Sequence, residues 1–125
     1  MTENDITYKI RGAAYKVHNN LGPGLLESVY EAALKYELKK EGLKVDAQVP
    51  IPVKYDDIKL DLGFRLDLLV NEKVIVEVKS IESLAPVHHK QLLTYLRLTD
   101  KRLGLLINFN TNNINEGITR IANNL

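Results

Sequence analysis

The amino-acid sequence predicts a mixed α/β domain with α+β character, in which helices flank a four-stranded mixed sheet. Residues 64–79 alternate between apolar and other side chains around a short polar turn, as two hairpin strands do. Residues 103–109 form a continuous apolar run, which suits a strand covered on both faces. Apolar residues at helical spacing occur in residues 5–19, 25–41 and 86–98. A chain of 125 residues is long enough for one domain with its own core, so we expect a single domain over 1–125.

The composition excludes several classes of function. Seventeen basic against sixteen acidic residues leave a net charge of +1, so no overall positive field attracts nucleic acid, and such binding needs a local basic patch or a partner subunit. The absence of cysteine excludes disulfides and thiolate metal sites. No apolar run is long enough to cross a bilayer, and the first ten residues lack the apolar segment of a signal peptide. We therefore expect a cytoplasmic, soluble protein without a membrane partner.

Two helices are predicted in the first third of the chain. The first covers residues 5–19, with Asp5 as its N-cap. A turn at residues 21–24 follows, because two glycines flank a proline there. The second helix covers residues 25–41 and ends at Gly42, since glycine commonly terminates helices.

The rest of the chain predicts a three-stranded antiparallel meander and a crossover. Residues 44–55 alternate but contain Pro50 and Pro52, which restrict that strand to a sheet edge or an interruption. After the hairpin, Pro86 suits the first turn of a helix. A right-handed crossover then makes residues 103–109 run parallel to residues 74–79. Residues 114–121 are expected to form a short closing helix.

The register of the hairpin follows from its apolar pattern. Even-numbered positions from 64 to 78 are apolar outside the turn, and a two-residue loop would place charges among them, which is heavily penalised when one face is buried. A three-residue connection over 71–73 instead pairs Val70 with Val74 and brings Asp67 beside Glu77, about 5 Å apart at Cβ. Lys79 lies on the same face as the two acids.

Two neighbouring carboxylates repel each other unless a proton or a cation lies between them. A hard divalent cation such as Mg²⁺ is the usual solution, because it takes one or two carboxylates and keeps its other positions for water and phosphate. Lys79 could then hold a water or a phosphate oxygen against the cation. The alternative is a solvated, salt-bridged sheet face, and the hairpin alone leaves both interpretations open.

Asp67 followed by Glu77-Val78-Lys79 resembles the D…(D/E)-x-K signature of the PD-(D/E)XK nuclease superfamily. The resemblance implies a restriction-endonuclease-like core in the order αβββαβ, here with an extra N-terminal helix and a short C-terminal helix. It also implies that Asp67, Glu77 and the carbonyl of Val78 bind Mg²⁺ or Mn²⁺, and that Lys79 assists the attacking water.

The segment from Gly24 to Tyr30, GLLESVY, resembles the motif that names the GxxExxY family of the same superfamily. By this resemblance Glu27 points at the metal, directly or through water. The alternative is that Glu27 only stabilises the start of its helix through the helix dipole. Tyr30 is expected to belong to the substrate-binding residues, and to pack or to orient rather than to react.

Gln91 and Tyr95 resemble the Q-x-x-x-Y element of the RecB-like branch of this superfamily. The resemblance implies that Gln91 supports catalysis and that Gln91 and Tyr95 contact the nucleic-acid strand. His88 falls on the same helical stripe, at i, i+3 and i+7 with these residues, and is expected to contact phosphate or water.

The implied function is metal-dependent hydrolysis of phosphodiester bonds in DNA. RNA is the alternative substrate, and the sequence is compatible with a homodimer. The rival interpretation is a catalytically silent nucleic-acid-binding or protein-interaction module on the same fold. The near-neutral charge favours the silent module, whereas the complete set of two acids and a lysine favours the enzyme.

Overall fold

The structure, a computed structural model, describes residues 1–60 and 62–125, and only the backbone at position 61. The helices of this part of the chain are α1 (Glu3–Leu21), α2 (Glu27–Lys40), α3 (Pro86–Thr99) and α4 (Ile114–Gly117). Its strands are β1 (Val45–Tyr55), β2 (Ile58–Val70), β3 (Val74–Lys79), β4 (Leu103–Asn108) and β5 (Ile118–Ala122). None of these helices has the length and apolar content that crossing a bilayer requires.

The strands form one sheet in the order β1-β2-β3-β4-β5. Strands β3 and β4 are parallel and the other neighbours are antiparallel, so the predicted mixed sheet and crossover are confirmed. Strand β1, with its two prolines, lies at the edge as predicted. The pairing of Val70 with Val74 confirms the three-residue connection between β2 and β3.

The sheet has five strands rather than the predicted four, because residues 118–122 are a strand and not part of a closing helix. Helix α4 ends at Gly117, where the backbone is so close to the carbonyl of Asn108 that a Cβ atom would collide with it. The next residues include the β-branched Ile118, Thr119 and Ile121, which favour an extended chain along the free edge of β4.

Helix α1 begins two residues earlier than predicted, and its cap is Thr2 rather than Asp5. The hydroxyl of Thr2 accepts a hydrogen bond from the Asp5 N–H at 3.2 Å, and Asp5 Oδ2 accepts one from the Thr2 N–H at 2.9 Å. Asp5 therefore completes a capping box from the third helical position.

The core consists of two clusters, one on each face of the sheet. Helices α1 and α2 cover the face formed by the even-numbered residues of β3 and the end of β2, and α3 covers the other face. The prediction that all even positions from 64 to 78 share one face is wrong for Phe64 and Leu66. These two side chains pack on the face that α3 covers, whereas Leu68 packs against α1 and α2. The change of side occurs opposite Gln48 of β1, which has a left-handed φ of 51°.

Tyr30 of α2 organises the turn between the first two helices. Its ring is fully buried and stacks on Phe109, with the ring centroids 4.6 Å apart. Its hydroxyl donates to the Gly22 carbonyl at 2.5 Å and accepts from the Leu25 N–H at 3.1 Å. Gly22 and Gly24 have φ of 70° and 96°, conformations that other residues rarely adopt. The Tyr30 side chain therefore packs, as one of the expectations had it, whereas its burial does not fit the predicted part in substrate binding.

Replacing Tyr30 by Phe should lower the free energy of unfolding by about 1–3 kcal/mol, because the Gly22 carbonyl and the Leu25 N–H lose a partner while the ring stack remains. Urea unfolding measures this change. Tyr36→Phe is the matched control, since Tyr36 is on the same helix and is 62% exposed. Equal urea midpoints for Tyr30→Phe and the wild type would contradict the assignment.

Candidate active site

Asp67 and Glu77 connect β2 and β3 at the point where the two strands separate. Backbone pairing runs from Val70–Val74 to Leu68–Val76. Beyond it, Glu77 Oε2 accepts a hydrogen bond from the Asp67 N–H at 2.9 Å, and Asp67 Oδ2 accepts one from the Val78 N–H at 2.8 Å. The two acids are thus adjacent, as the predicted register requires, and their side chains replace part of the ladder.

The environment of this pair disfavours two negative charges. Glu77 is only 5% exposed, and this burial, together with the nearby Asp67 carboxylate, raises the pKa of Glu77 from 4.5 to about 8. The hydrogen bond from the Asp67 N–H and the charge of Lys79 act in the opposite direction and lower that pKa. At neutral pH the metal-free pair therefore carries a proton on Glu77.

Lys79 follows Glu77 by two residues on β3 and points to the same side of the sheet. Among the described residues its ammonium group forms no ion pair within 4.0 Å. Its charge nevertheless lowers the pKa of Glu77, which indicates that the amine is close to the acid pair. It is thus available to a further partner.

The chain after Lys79 is held by a buried polar side chain. Asn108, at the end of β4, is 5% exposed; its Oδ1 accepts from the Ile81 N–H at 3.1 Å, and its Nδ2 donates to the Ile81 carbonyl at 3.0 Å. Ser80 donates from its hydroxyl to the Leu25 carbonyl at 2.6 Å. These contacts fix the end of β3, and hence Lys79. Sequence reasoning missed Asn108, although a lone polar residue within the apolar run 103–109 was a usable signal.

Helix α3 contributes Gln91 and Tyr95 to the same region. The Tyr95 ring stacks on Phe64 of β2, with the centroids 4.2 Å apart. Partial burial raises the pKa of Tyr95, the charges of Glu77 and Asp67 raise it further, and a hydrogen bond from Gln91 opposes them. Tyr95 is therefore within electrostatic range of the acid pair, and Gln91 interacts with Tyr95.

His88 has a local role at the start of α3. Its Nδ1 accepts a hydrogen bond from the Ala85 N–H at 2.9 Å, which caps the helix. This contact leaves Nε2 as the ring nitrogen available for the predicted contact with phosphate or water.

On α2, Glu31 interacts electrostatically with the pair. Burial and the charge of Asp67 raise the pKa of Glu31, and Glu31 in turn raises the pKa of Glu77. Glu27 is exposed at the first helical position, and its charge acts on Glu31. The metal contact expected of Glu27 stays a prediction, and the sequence analysis assigned no role to Glu31. The i, i+4 spacing of the two acids, which places both on one side of the helix, was the available signal.

The donors at this site fit a hard cation. Asp67, Glu77 and the backbone of Val78 offer only oxygen, which Mg²⁺ and Mn²⁺ prefer. In the part of the chain that the structure describes, no three His, Asp or Glu side chains are close enough together to hold a metal ion by themselves. A cation here would therefore complete its coordination with water or phosphate oxygens.

A mixed sheet between helices, with two acids and a lysine where neighbouring strands separate, is the arrangement of a restriction-endonuclease-like protein. A family model described as the PD-(D/E)XK nuclease superfamily matches residues 4–121, and the chain belongs to this superfamily. Comparison with curated proteins gives no match. Members of this superfamily typically use divalent metal ions.

Proposed function

We propose that this protein is a single-domain nuclease that uses Mg²⁺ or Mn²⁺ to hydrolyse phosphodiester bonds in DNA. Membership of the superfamily supports a nuclease-like function. The observation that carries the proposal is the Asp67–Glu77 pair, whose two acids bridge separating strands beside Lys79. We also propose that the chain belongs to the GxxExxY branch, which is supported by Gly24 and by the turn that Tyr30 organises.

In this proposal Asp67, Glu77 and the carbonyl of Val78 hold the cation. A bound divalent ion supplies a Lewis acid that acidifies water and neutralises charge on the phosphate. As a ligand Glu77 would be ionised, so it would give up its proton on binding a cation. Lys79 orients the attacking water and donates to the phosphate oxygens as negative charge develops on them. Gln91 and Tyr95 line the side of the site formed by α3 and contact the nucleic-acid strand.

The protonation of Glu77 favours this proposal over a merely solvated sheet face. A solvated carboxyl keeps an ordinary pKa, whereas burial and Asp67 raise the pKa of Glu77 to about 8. A buried pair of this kind destabilises the metal-free fold, and perturbed acids of this kind cluster at functional sites. A net charge of +1 remains the observation that favours the silent binding module.

A cleavage screen tests the proposal. Wild-type protein and Glu77→Gln are incubated with single-stranded DNA, duplex DNA and RNA, each with Mg²⁺, Mn²⁺ or EDTA. We expect the wild type to cleave DNA with Mn²⁺ or Mg²⁺, and we expect no cleavage in EDTA or by the variant. Cleavage of RNA alone would mean that the protein is a nuclease whose substrate is RNA and not DNA. Binding without cleavage in every condition would support the silent module and contradict the nuclease.

A further inference from the structure

We propose that a cavity between β1 and β2 binds one nucleotide of the substrate strand, with Arg65 holding its phosphate and two prolines contacting its base. The cavity has a volume of about 460 Å³, and it is lined by Pro50, Ile51, Pro52, Gly63, Phe64 and Arg65. This inference rests on the proposed function and extends it to a site outside the acid pair and the lysine.

The shape of the cavity comes from an irregularity in the pairing of β1 with β2. Pro52 pairs with Gly63, but the next residue of β1 pairs with Leu60, so β2 has two more residues than β1 at this point. A bulge of this kind bends the strand and increases its twist. At Gly63 the two backbones are so close that a Cβ atom would collide with the Ile51 carbonyl. Glycine therefore lets the two strands meet beside the bulge, and the cavity lies next to this contact.

The polar side of the cavity lies on the exposed face of this part of the sheet. Phe64 and Leu66 pack on the face that α3 covers, so Arg65 between them points to the other face. Pro50 is the β1 partner of Arg65, and Pro52 has the same orientation as Pro50 because it is two residues further along the strand. The two prolines and the arginine are all exposed. Their rings and the guanidinium thus form one surface to which a ligand has access.

The chemistry of the lining fits an anion that carries an apolar group. Among the described residues that line the cavity, Arg65 is the only charged one, and within that part of the chain it forms no ion pair within 4.0 Å. A guanidinium presents a planar set of donors that matches two phosphate oxygens. The proline rings offer an apolar surface to the base next to that phosphate. This combination fits a nucleotide, and a volume of about 460 Å³ is usual for a small-ligand site.

The position of the cavity relative to the acid pair indicates which nucleotide it holds. Arg65 precedes Asp67 by two residues, which is about 7 Å along an extended strand. Successive phosphates of one DNA strand are about 3.4 Å apart along the duplex axis. The nucleotide in the cavity is therefore about two positions from the phosphate at the acid pair. A single guanidinium placed there also binds the strand locally, which a chain with a net charge of +1 requires.

The first test measures binding of fluorescein-labelled single-stranded DNA by anisotropy, in EDTA and at several salt concentrations. We expect Arg65→Gln to weaken binding about 10-fold and to reduce the slope of log Kd against log salt concentration by about 1, because one phosphate contact is lost. Arg97→Gln is the matched control and should bind as the wild type does, since Arg97 is exposed in the last turn of α3. Both variants should have the urea midpoint of the wild type, because both side chains are exposed.

The second test locates the nucleotide. The bond cleaved with Mn²⁺ is mapped on one strand, and a single abasic nucleotide is then placed at each position around it. We expect one abasic position, about two nucleotides from the cleaved bond, to weaken binding to the wild type about 5-fold or more. In Pro52→Gly the same abasic nucleotide should have little further effect, because the apolar contact is already lost. If no abasic position weakens binding, the cavity holds no base and the inference is wrong.

The outcomes separate the inference from the proposed function. If Arg65→Gln binds and cleaves DNA as the wild type does, while Glu77→Gln cleaves none, the inference is wrong and the proposed function stands. If Arg65→Gln and Arg97→Gln weaken binding equally, only the overall charge matters and the inference is again wrong. If binding depends on Arg65 but no DNA is cleaved with Mn²⁺ or Mg²⁺, the cavity is supported and the nuclease is contradicted. If the wild type neither binds nor cleaves DNA, both are overturned.

Discussion

Lys79→Ala should reduce the rate of phosphodiester cleavage about 10²–10³-fold, the usual effect of removing one donor that stabilises developing charge. Mn²⁺ affinity should change little or rise slightly, because Lys79 is not a ligand and its positive charge opposes the cation. Single-turnover cleavage and Mn²⁺ calorimetry measure the two effects. Lys73→Ala is the matched control, since Lys73 lies in the turn of the same hairpin and donates to the Met1 carbonyl at 2.7 Å.

The combination of a large loss in rate and retained metal binding would identify Lys79 as a catalytic residue. If Lys79→Ala and Lys73→Ala cleaved equally well, the amine would have no part in the reaction. If Lys79→Ala lost Mn²⁺ binding and stability together, its role would be structural. Either result would contradict the mechanism.

Glu77→Gln should stabilise the metal-free protein and abolish its stabilisation by Mn²⁺. The pKa of Glu77 is 4.5 in its ordinary state and about 8 in the fold, so between these values the folded protein binds a proton that the unfolded chain does not. Stability therefore falls as the pH rises from about 5 to about 8, by roughly 3 kcal/mol at pH 7. Glutamine cannot ionise, so the stability of the variant does not fall over this pH range. Its amide oxygen can still accept a hydrogen bond from the Asp67 N–H.

Urea midpoints in EDTA at three pH values, one near each end of this range and one at its centre, check the prediction. The stability difference between Glu77→Gln and the wild type should grow with pH, and Glu41→Gln should show no such trend. Added Mn²⁺ should stabilise the wild type alone, since ligand binding to the folded state raises its stability. A pH-independent difference, or equal stabilisation of Glu77→Gln by Mn²⁺, would refute the assignment.

The register of the β2–β3 hairpin, and with it the adjacency of Asp67 and Glu77, could be predicted because the alternation of side chains along a strand allows few registers. Side chains alternate with a period of two, so a slip of one residue would exchange the whole buried set with the charged one. The requirement that Val74, Val76 and Val78 share a face with Leu68 and Val70 was therefore sufficient to place Asp67 beside Glu77.

Other features depend on contacts between distant segments, which local patterns do not contain. Ile114, Ile118 and Ile121 have helical spacing, yet the free edge of β4 makes the last two part of a strand. Glu27 and Glu31 lie on the same side of α2, so which of them is nearer the acid pair depends on where the helix crosses the sheet, and packing determines that position. The left-handed conformation of Gln48 has no signal in the sequence, because glycine would be the expected residue there.

The separation of β2 from β3 also limits which substitutions could remove the proposed activity during evolution. The Val78 and Asp67 N–H groups have the two carboxylates as their acceptors, so apolar residues at 67 and 77 would leave both amides unpaired. Each orphaned amide costs about 1–3 kcal/mol, a large fraction of the stability of a small protein. Asparagine at position 67 and glutamine at position 77 would preserve both hydrogen bonds without holding a cation. Homologues that carry amides at both positions are therefore the place to look for inactive descendants that still fold.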